Sequence, residues 1–198
     1  MSKKLRKQPI YIAPEIFGWL DDNNNPLVFD ERSKKELDPL NEMDKIEIYE
    51  RQVKDWFLNP AYSLANYRNK NKGFIVLMIC LSYLEGVEQY RVGQSSSNNS
   101  RSFFVTAMNR IYPNKFSLNN LRSFYSEARC GLFHNGMVRG RIIINNGFSK
   151  PLEFKNNDIK ISPKKFLNDI IQDFDSYINE LKNNQQSRDL FNQLYTNI

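Results

Sequence analysis

One histidine, His134, is all the 198-residue chain has, and that scarcity excludes whole classes of site. Two-histidine acid/base ribonucleases, two-histidine metal helices and zinc knuckles that combine cysteines with histidine do not fit. Cysteine is almost as rare. Cys80 and Cys130 stand too far apart for a metal or redox spacing. Cys80 lies in an apolar run and reads as a reduced, buried thiol, which suits a cytoplasmic protein. The eight glycines are scattered at turns, so there is neither a Walker-type loop nor a dinucleotide-binding glycine pattern. Long hydrophobic runs are missing too. The longest, Phe74 to Leu84, is too short to span a bilayer. No signal-peptide apolar core follows the basic residues 1–7, which read as a solvated tail. The expectation is a cytoplasmic chain with no membrane contact, no metal and no cofactor.

What is present is globular material with a cationic bias. Hydrophobic residues make up 40% and charged residues 25%, with a net charge of +6, which fits one soluble domain and permits polyanion binding. Residues 8–37 lack helical periodicity. Residues 9–14 are expected as a short strand, and Trp19-Leu20 and Leu27-Val28-Phe29 flank the polar turn 21–26 as a hairpin. Asp38-Pro39 is expected to open a helix, with Met43, Ile46, Val53, Trp56 and Phe57 on one stripe and a stop at Asn59-Pro60. Residues 73–90 are hydrophobic nearly all round, as befits a helix at the centre of a bundle. Residues 93–100 read as a flexible loop. After a further helix and the motif helix come strand-like pieces at 141–145, 151–154 and 158–161. Ser162-Pro163 then opens the last long helix, and a polar break at 183–186 precedes a short terminal one. The expected fold class is mainly α: a helical bundle over residues 38–182 with a small β insertion at 141–161. A hairpin-like N-terminal extension, 1–37, precedes it, and a short helix and tail, 183–198, follow.

Residues 121–137 carry the candidate chemistry. Leu121, Phe124, Tyr125, Ala128 and Leu132 recur at helical spacing, Ser117 is the cap, and Asn135-Gly136 is the stop. Arg129 sits at the edge of the apolar face and His134 in the last turn. Such a pair suits a phosphate ester, with arginine as clamp and histidine as acid/base. Five residues apart on a regular helix, however, they point roughly 140° apart. Either the helix unwinds at Asn135-Gly136 or the site is built across a homodimer. Arg122 shares the side of Arg129, and Glu127 the side of His134; Glu127, Cys130 and Asn135 are supporting candidates. Arg122, Arg139 and Arg141 are candidates to hold RNA backbone phosphates, and Tyr125 to stack on a base. Cys130 reads as a structural thiol. Glu47, Glu50, Asp55, Glu85 and Glu88 read as solvated helix-surface charges and not as a metal site. The plainer alternative is that Arg129 and His134 bond helix-terminal carbonyls and fix the β insertion.

The run Arg129-Cys-Gly-Leu-Phe-His134 resembles the R-x4-6-H motif of HEPN (higher eukaryotes and prokaryotes nucleotide-binding) domains, including its place near a helix end in a helical bundle. That resemblance implies a metal-independent endoribonuclease acting on single-stranded RNA or tRNA. It implies a homodimer whose two motifs line one cleft, with histidine handling the 2′-hydroxyl proton and arginine holding the scissile phosphate. It also implies a setting in bacterial toxin or defence systems, with a cognate inhibitor or antitoxin. Two departures stand out. Cys130 occupies a position that is often Asn, Asp or His in the family, and Gly136 stands where a toxin branch carries tyrosine. The rival reading is a non-catalytic RNA-, nucleotide- or partner-binding module, or a scaffold without RNA affinity.

Overall fold

The computed structural model describes residues 5–67 and 72–195. Four short strands come first: β1 (Ile10–Ala13), β2 (Ile16–Leu20), β3 (Pro26–Asp30) and β4 (Lys35–Leu37), in a purely antiparallel meander of that order. The expected hairpin is its centre, with Trp19 opposite Leu27. Asp21 closes the turn by accepting from the amides of Asn23 and Asn25 at 2.8 and 2.7 Å. One face of the sheet buries Ile12, Ala13, Ile16 and Val28 against Ile48 of the first helix. The other carries Tyr11, Phe17, Trp19 and Phe29 as a cross-strand aromatic row.

Asp30, at the end of β3, is fully buried. Burial opposes its charge, but the Ser33 hydroxyl, the Arg32 amide and the Arg51 guanidinium outweigh that, and its carboxyl titrates below the usual range. A folded-state pKa below the unfolded one stabilises the fold above the ordinary carboxyl range, about 4, and loses that stabilisation as pH falls through the lowered value. Asp30→Asn should therefore be less stable than wild type at pH 7. The gap should close below about pH 4 in urea titrations run across pH. A gap that stays constant down to pH 2 would sever Asp30 from this linkage.

Helix α1 runs over 42–66, capped by the Asn41 side chain, which accepts from the amides of Met43 and Asp44. The start lies three residues after the expected Asp38-Pro39, because Asp38 spends its carboxylate on the Leu40 amide in a preceding turn. Nor does Asn59-Pro60 end the helix. A π turn, Lys54–Leu58, lets the Asn59 amide reach back to the Lys54 carbonyl, and this change of register absorbs the proline's missing N–H. Helix α2 (Gly73–Val92) ends on Gly93 at φ 69°, and α3 (Ser100–Ile111) packs against it. The expected flexible loop between them is tied down: Ser96 is buried, its amide bonds Gln89 and its hydroxyl bonds Glu85.

Helix α4 spans 118–135, and a second sheet follows it: β5 (Ile142–Ile144), β6 (Leu152–Lys155) and β7 (Asp158–Ile161). Its order is β5-β7-β6, with β5 parallel and β6 antiparallel to β7. Asn156 and Asn157, at φ 53° and 67°, make the tight turn between β6 and β7. Helix α5 (Pro163–Asn183) begins after Ser162 as expected, but the side chain that caps it comes from elsewhere: Asn146 accepts from the Lys164 amide at 3.1 Å. Helix α6 (Gln185–Leu194) returns Phe191 and Tyr195 into the main core beside Tyr49 and Tyr90.

The expectation of a mainly α bundle with a hairpin-like extension does not hold. Helix makes up 57% of the structure, yet a four-stranded antiparallel sheet and a three-stranded mixed sheet make it a mixed α/β fold. The N-terminal strands are three to five residues long, too short for alternation to show them singly. Their pairing is what reveals them. The all-round hydrophobic helix is also less enclosed than expected. Val76, Leu77, Cys80, Leu81 and Leu84 are buried between α3, α5 and α6, while Phe74, Ile75 and Met78 are exposed on its first turns.

Candidate functional site

Helix α4 is three segments in one. Leu118–Phe124 is α-helical behind the Ser117 cap, Tyr125–Arg129 is a π turn, and Cys130–Asn135 is α-helical again up to Gly136 at φ 69°. The cap and the glycine stop are those expected from sequence. The π turn is not. It adds roughly one residue to a turn and so rotates everything beyond it by about 100° relative to a regular helix. Arg122 and Arg129 are consequently carried to different sides of the helix.

Arg129 turns towards α2. Its Nη2 donates to Glu85 Oε2 at 2.8 Å, and the other oxygen of Glu85 accepts from the Ser96 hydroxyl at 2.8 Å. The guanidinium also lies over the rings of Phe133 at 5.0 Å and Tyr125 at 5.7 Å. Glu85 is thus no solvated surface charge, and Glu88 is buried against Arg110. His134 is exposed in the last turn and makes no side-chain hydrogen bond or ion pair among the described residues. The helix stays regular from Cys130 to Asn135, so unwinding does not swing the imidazole towards Arg129. The plainer alternative, in which both side chains bond helix-terminal carbonyls, is not seen either: Gly136 N–H closes the end on Leu132.

The remaining candidates divide sharply. Tyr125 is 7% exposed, with the Phe104 ring at 5.3 Å, and offers no open face to a base. Burial, then contact with the Cys130 thiol, raises its pKa. Arg141 is spent on structure. Its guanidinium holds Glu127 and donates to Asn157 Oδ1 at 2.9 Å, joining α4 to the second sheet, and the Glu127 hydrogen bond raises its pKa. Glu127 therefore supports the insertion and not His134, and its Oε2 is buried without a partner among the described residues. Arg122 and Arg139 are exposed, without a carboxylate partner among the described residues. Cys130 is half-buried and Asn135 exposed. Among the described residues no three His, Cys, Asp or Glu side chains gather as metal ligands. No described helix is long and apolar enough to cross a membrane.

Gly131 is the residue that sequence reasoning passed over. After Gly136 the chain doubles back, and Arg139 N–H donates to Glu127 C=O at 3.0 Å. A Cβ on Gly131 would stand 2.7 Å from Met137 C=O and 3.2 Å from Val138 Cα, both backbone atoms that cannot swing aside. Gly131→Ala should cost about 1–3 kcal/mol, read from urea midpoints. Wild-type stability in that variant would mean the returning segment 137–139 is free to move away from the helix.

No family model, curated protein or solved structure matches the chain.

Proposed function

We propose that this protein is a metal-independent endoribonuclease of the HEPN type, cytoplasmic and homodimeric, acting on single-stranded RNA or tRNA. The observation that carries the reading is the state of His134: exposed at a helix end, unpaired among the described residues, and followed by the exposed apolar side chain of Met137. A histidine that only held the fold would spend its ring nitrogens on protein partners. In this reading His134 moves the 2′-hydroxyl proton and Arg129 holds the scissile phosphate. Arg129 gives Glu85 one of its five N–H donors, and its Nε and Nη1 make no hydrogen bond among the described residues. Because the two side chains diverge on one helix, the working pair comes from two copies about a two-fold axis. Phe133 and Met137, 42% and 62% exposed around His134, supply apolar surface for that contact.

The test is incubation of the purified chain with single-stranded RNA and with tRNA in EDTA. Products ending in 2′,3′-cyclic phosphate are expected, together with a dimeric mass at micromolar concentration. Cleavage that needs a divalent metal, or a monomeric mass, would overturn the reading. One specific observation favours a second reading, a non-catalytic RNA- or partner-binding module: Glu85 neutralises Arg129 and is itself held by Ser96. That reading expects salt-dependent RNA binding without turnover. A cognate inhibitor or antitoxin belongs to either reading only as an expectation of the motif.

A further inference from the structure

The π turn that separates Arg122 from Arg129 delivers Arg122 to a different place: a cleft of about 620 Å³ between the start of α3 and the first half of α4. Arg101, Arg122, Ser100, Ser102, Thr106 and Tyr125 line it, together with asparagines 98 and 99 and the apolar Val105 and Leu118. No carboxylate lines the cleft. Among the described residues neither Arg101 nor Arg122 has an ion pair or a side-chain hydrogen bond, and both are exposed. Arg32, Arg51, Arg91, Arg110, Arg129, Arg141 and Arg188 each hold an acidic side chain, whereas Arg101 and Arg122, like Arg6 and Arg139, hold none among the described residues. Two guanidiniums without a carboxylate partner on adjoining helices, together with three hydroxyls, line a concave surface of one sign. Its geometry suits an anion with several acceptor oxygens.

Tyr125 joins this cleft to the motif. The Arg101 and Arg129 guanidiniums each lie 5.7 Å from the centroid of its ring. The buried tyrosine therefore spaces Arg101 of the cleft from Arg129 of the motif. A polynucleotide strand, with a phosphate at every residue, can reach from the cleft towards the Arg129 end of α4 where a single phosphate cannot.

We propose that the Arg101–Arg122 cleft is a phosphate-binding subsite for single-stranded RNA, which holds the strand beside the Arg129 end of α4. The identity of the ligand rests on the RNA reading above, but the subsite does not require cleavage. The experiment separates the two. Binding of a fluorescently labelled single-stranded RNA is measured by anisotropy in a His134→Ala background, as a function of salt. Against that parent, Arg101→Ala with Arg122→Ala should weaken binding about tenfold or more and flatten the log K against log salt slope by roughly 1.4, the value for two lost phosphate contacts to a single strand. Lys34→Ala with Lys35→Ala removes the same charge from the N-terminal sheet and should leave both quantities unchanged. Arg101→Lys with Arg122→Lys keeps the charge and should keep the slope while losing part of the affinity. Inorganic phosphate in the same titration should fail to displace the RNA beyond its effect on ionic strength. Equal affinity and slope for the Arg101/Arg122 alanine variant and its parent would overturn the subsite, and so would equal losses in the Lys34/Lys35 control. Binding that depends on Arg101 and Arg122 in a protein whose wild type leaves RNA intact would support the subsite and overturn only the catalytic reading.

Discussion

Replacing Arg110 with leucine should cost the fold about 3–5 kcal/mol, the usual penalty for stranding a buried charge. The guanidinium lies between two helices' carboxylates. Its Nη2 donates to Glu88 Oε2 at 2.8 Å, its Nε donates to the same oxygen at 3.2 Å, and its Nη1 holds Asp173. Glu88 is 3% exposed and has no other cation among the described residues. Asp173 is better supplied, since the Tyr83 hydroxyl donates to it at 2.6 Å and Arg91 stands 3.9 Å away. Burial works against the charge on Arg110, and the two carboxylates overcome it and raise its pKa. Leucine would leave Glu88 charged in a dry place or force it to take up a proton. For a chain of this size a 3 kcal/mol loss lowers the thermal midpoint by roughly 6–12 °C. The companion variant, Arg110→Leu with Glu88→Met, removes both partners and should recover much of the loss, because replacing a whole buried pair with apolar groups is often neutral. Calorimetry and urea titration of the two variants decide it. A single variant as stable as wild type would show that water already satisfies Glu88.

His134→Ala should lower RNA cleavage at least a hundredfold, roughly 2.7 kcal/mol of transition-state stabilisation, while leaving the thermal midpoint nearly unchanged. The stability half follows from its exposure and its lack of partners among the described residues. Arg129→Lys is the sharper companion. Lysine keeps the charge and can keep one contact to Glu85, but it lacks the planar fork, and cleavage should fall tenfold or more, roughly 1.4 kcal/mol. Cleavage by Arg129→Lys at the wild-type rate would remove the phosphate-clamp role. Cleavage by His134→Ala at the wild-type rate would remove the mechanism altogether.

Local chemistry made much of the chain legible in one dimension. Ser117 and Gly136 bound α4 because a cap needs a side-chain acceptor and a helix stop needs a residue at ease with positive φ. The polar turn expected at 21–26 and the Asn156-Asn157 turn were readable for the same reason, each depending on neighbours in sequence, while the break expected at 183–186 shrinks to Asn184 alone, which caps the terminal helix. The class of the fold was not, because strands of three to five residues acquire meaning only from partners that the sequence does not pair. The two π turns were hidden as well. A one-residue change of register leaves the apolar stripe nearly intact and alters only which polar side chains meet.

The sequence by itself determined that any histidine-based acid/base chemistry on this chain falls to His134, and that the residues around it form a helix with a defined end. Tertiary structure alone decided how the arginines are spent: Arg129 on Glu85, Arg141 on Glu127, and Arg101 and Arg122 on no carboxylate among the described residues. The physical reason is range. A cap or a turn is satisfied within four residues, whereas a guanidinium takes whichever carboxylate the packing of distant helices brings within 3 Å.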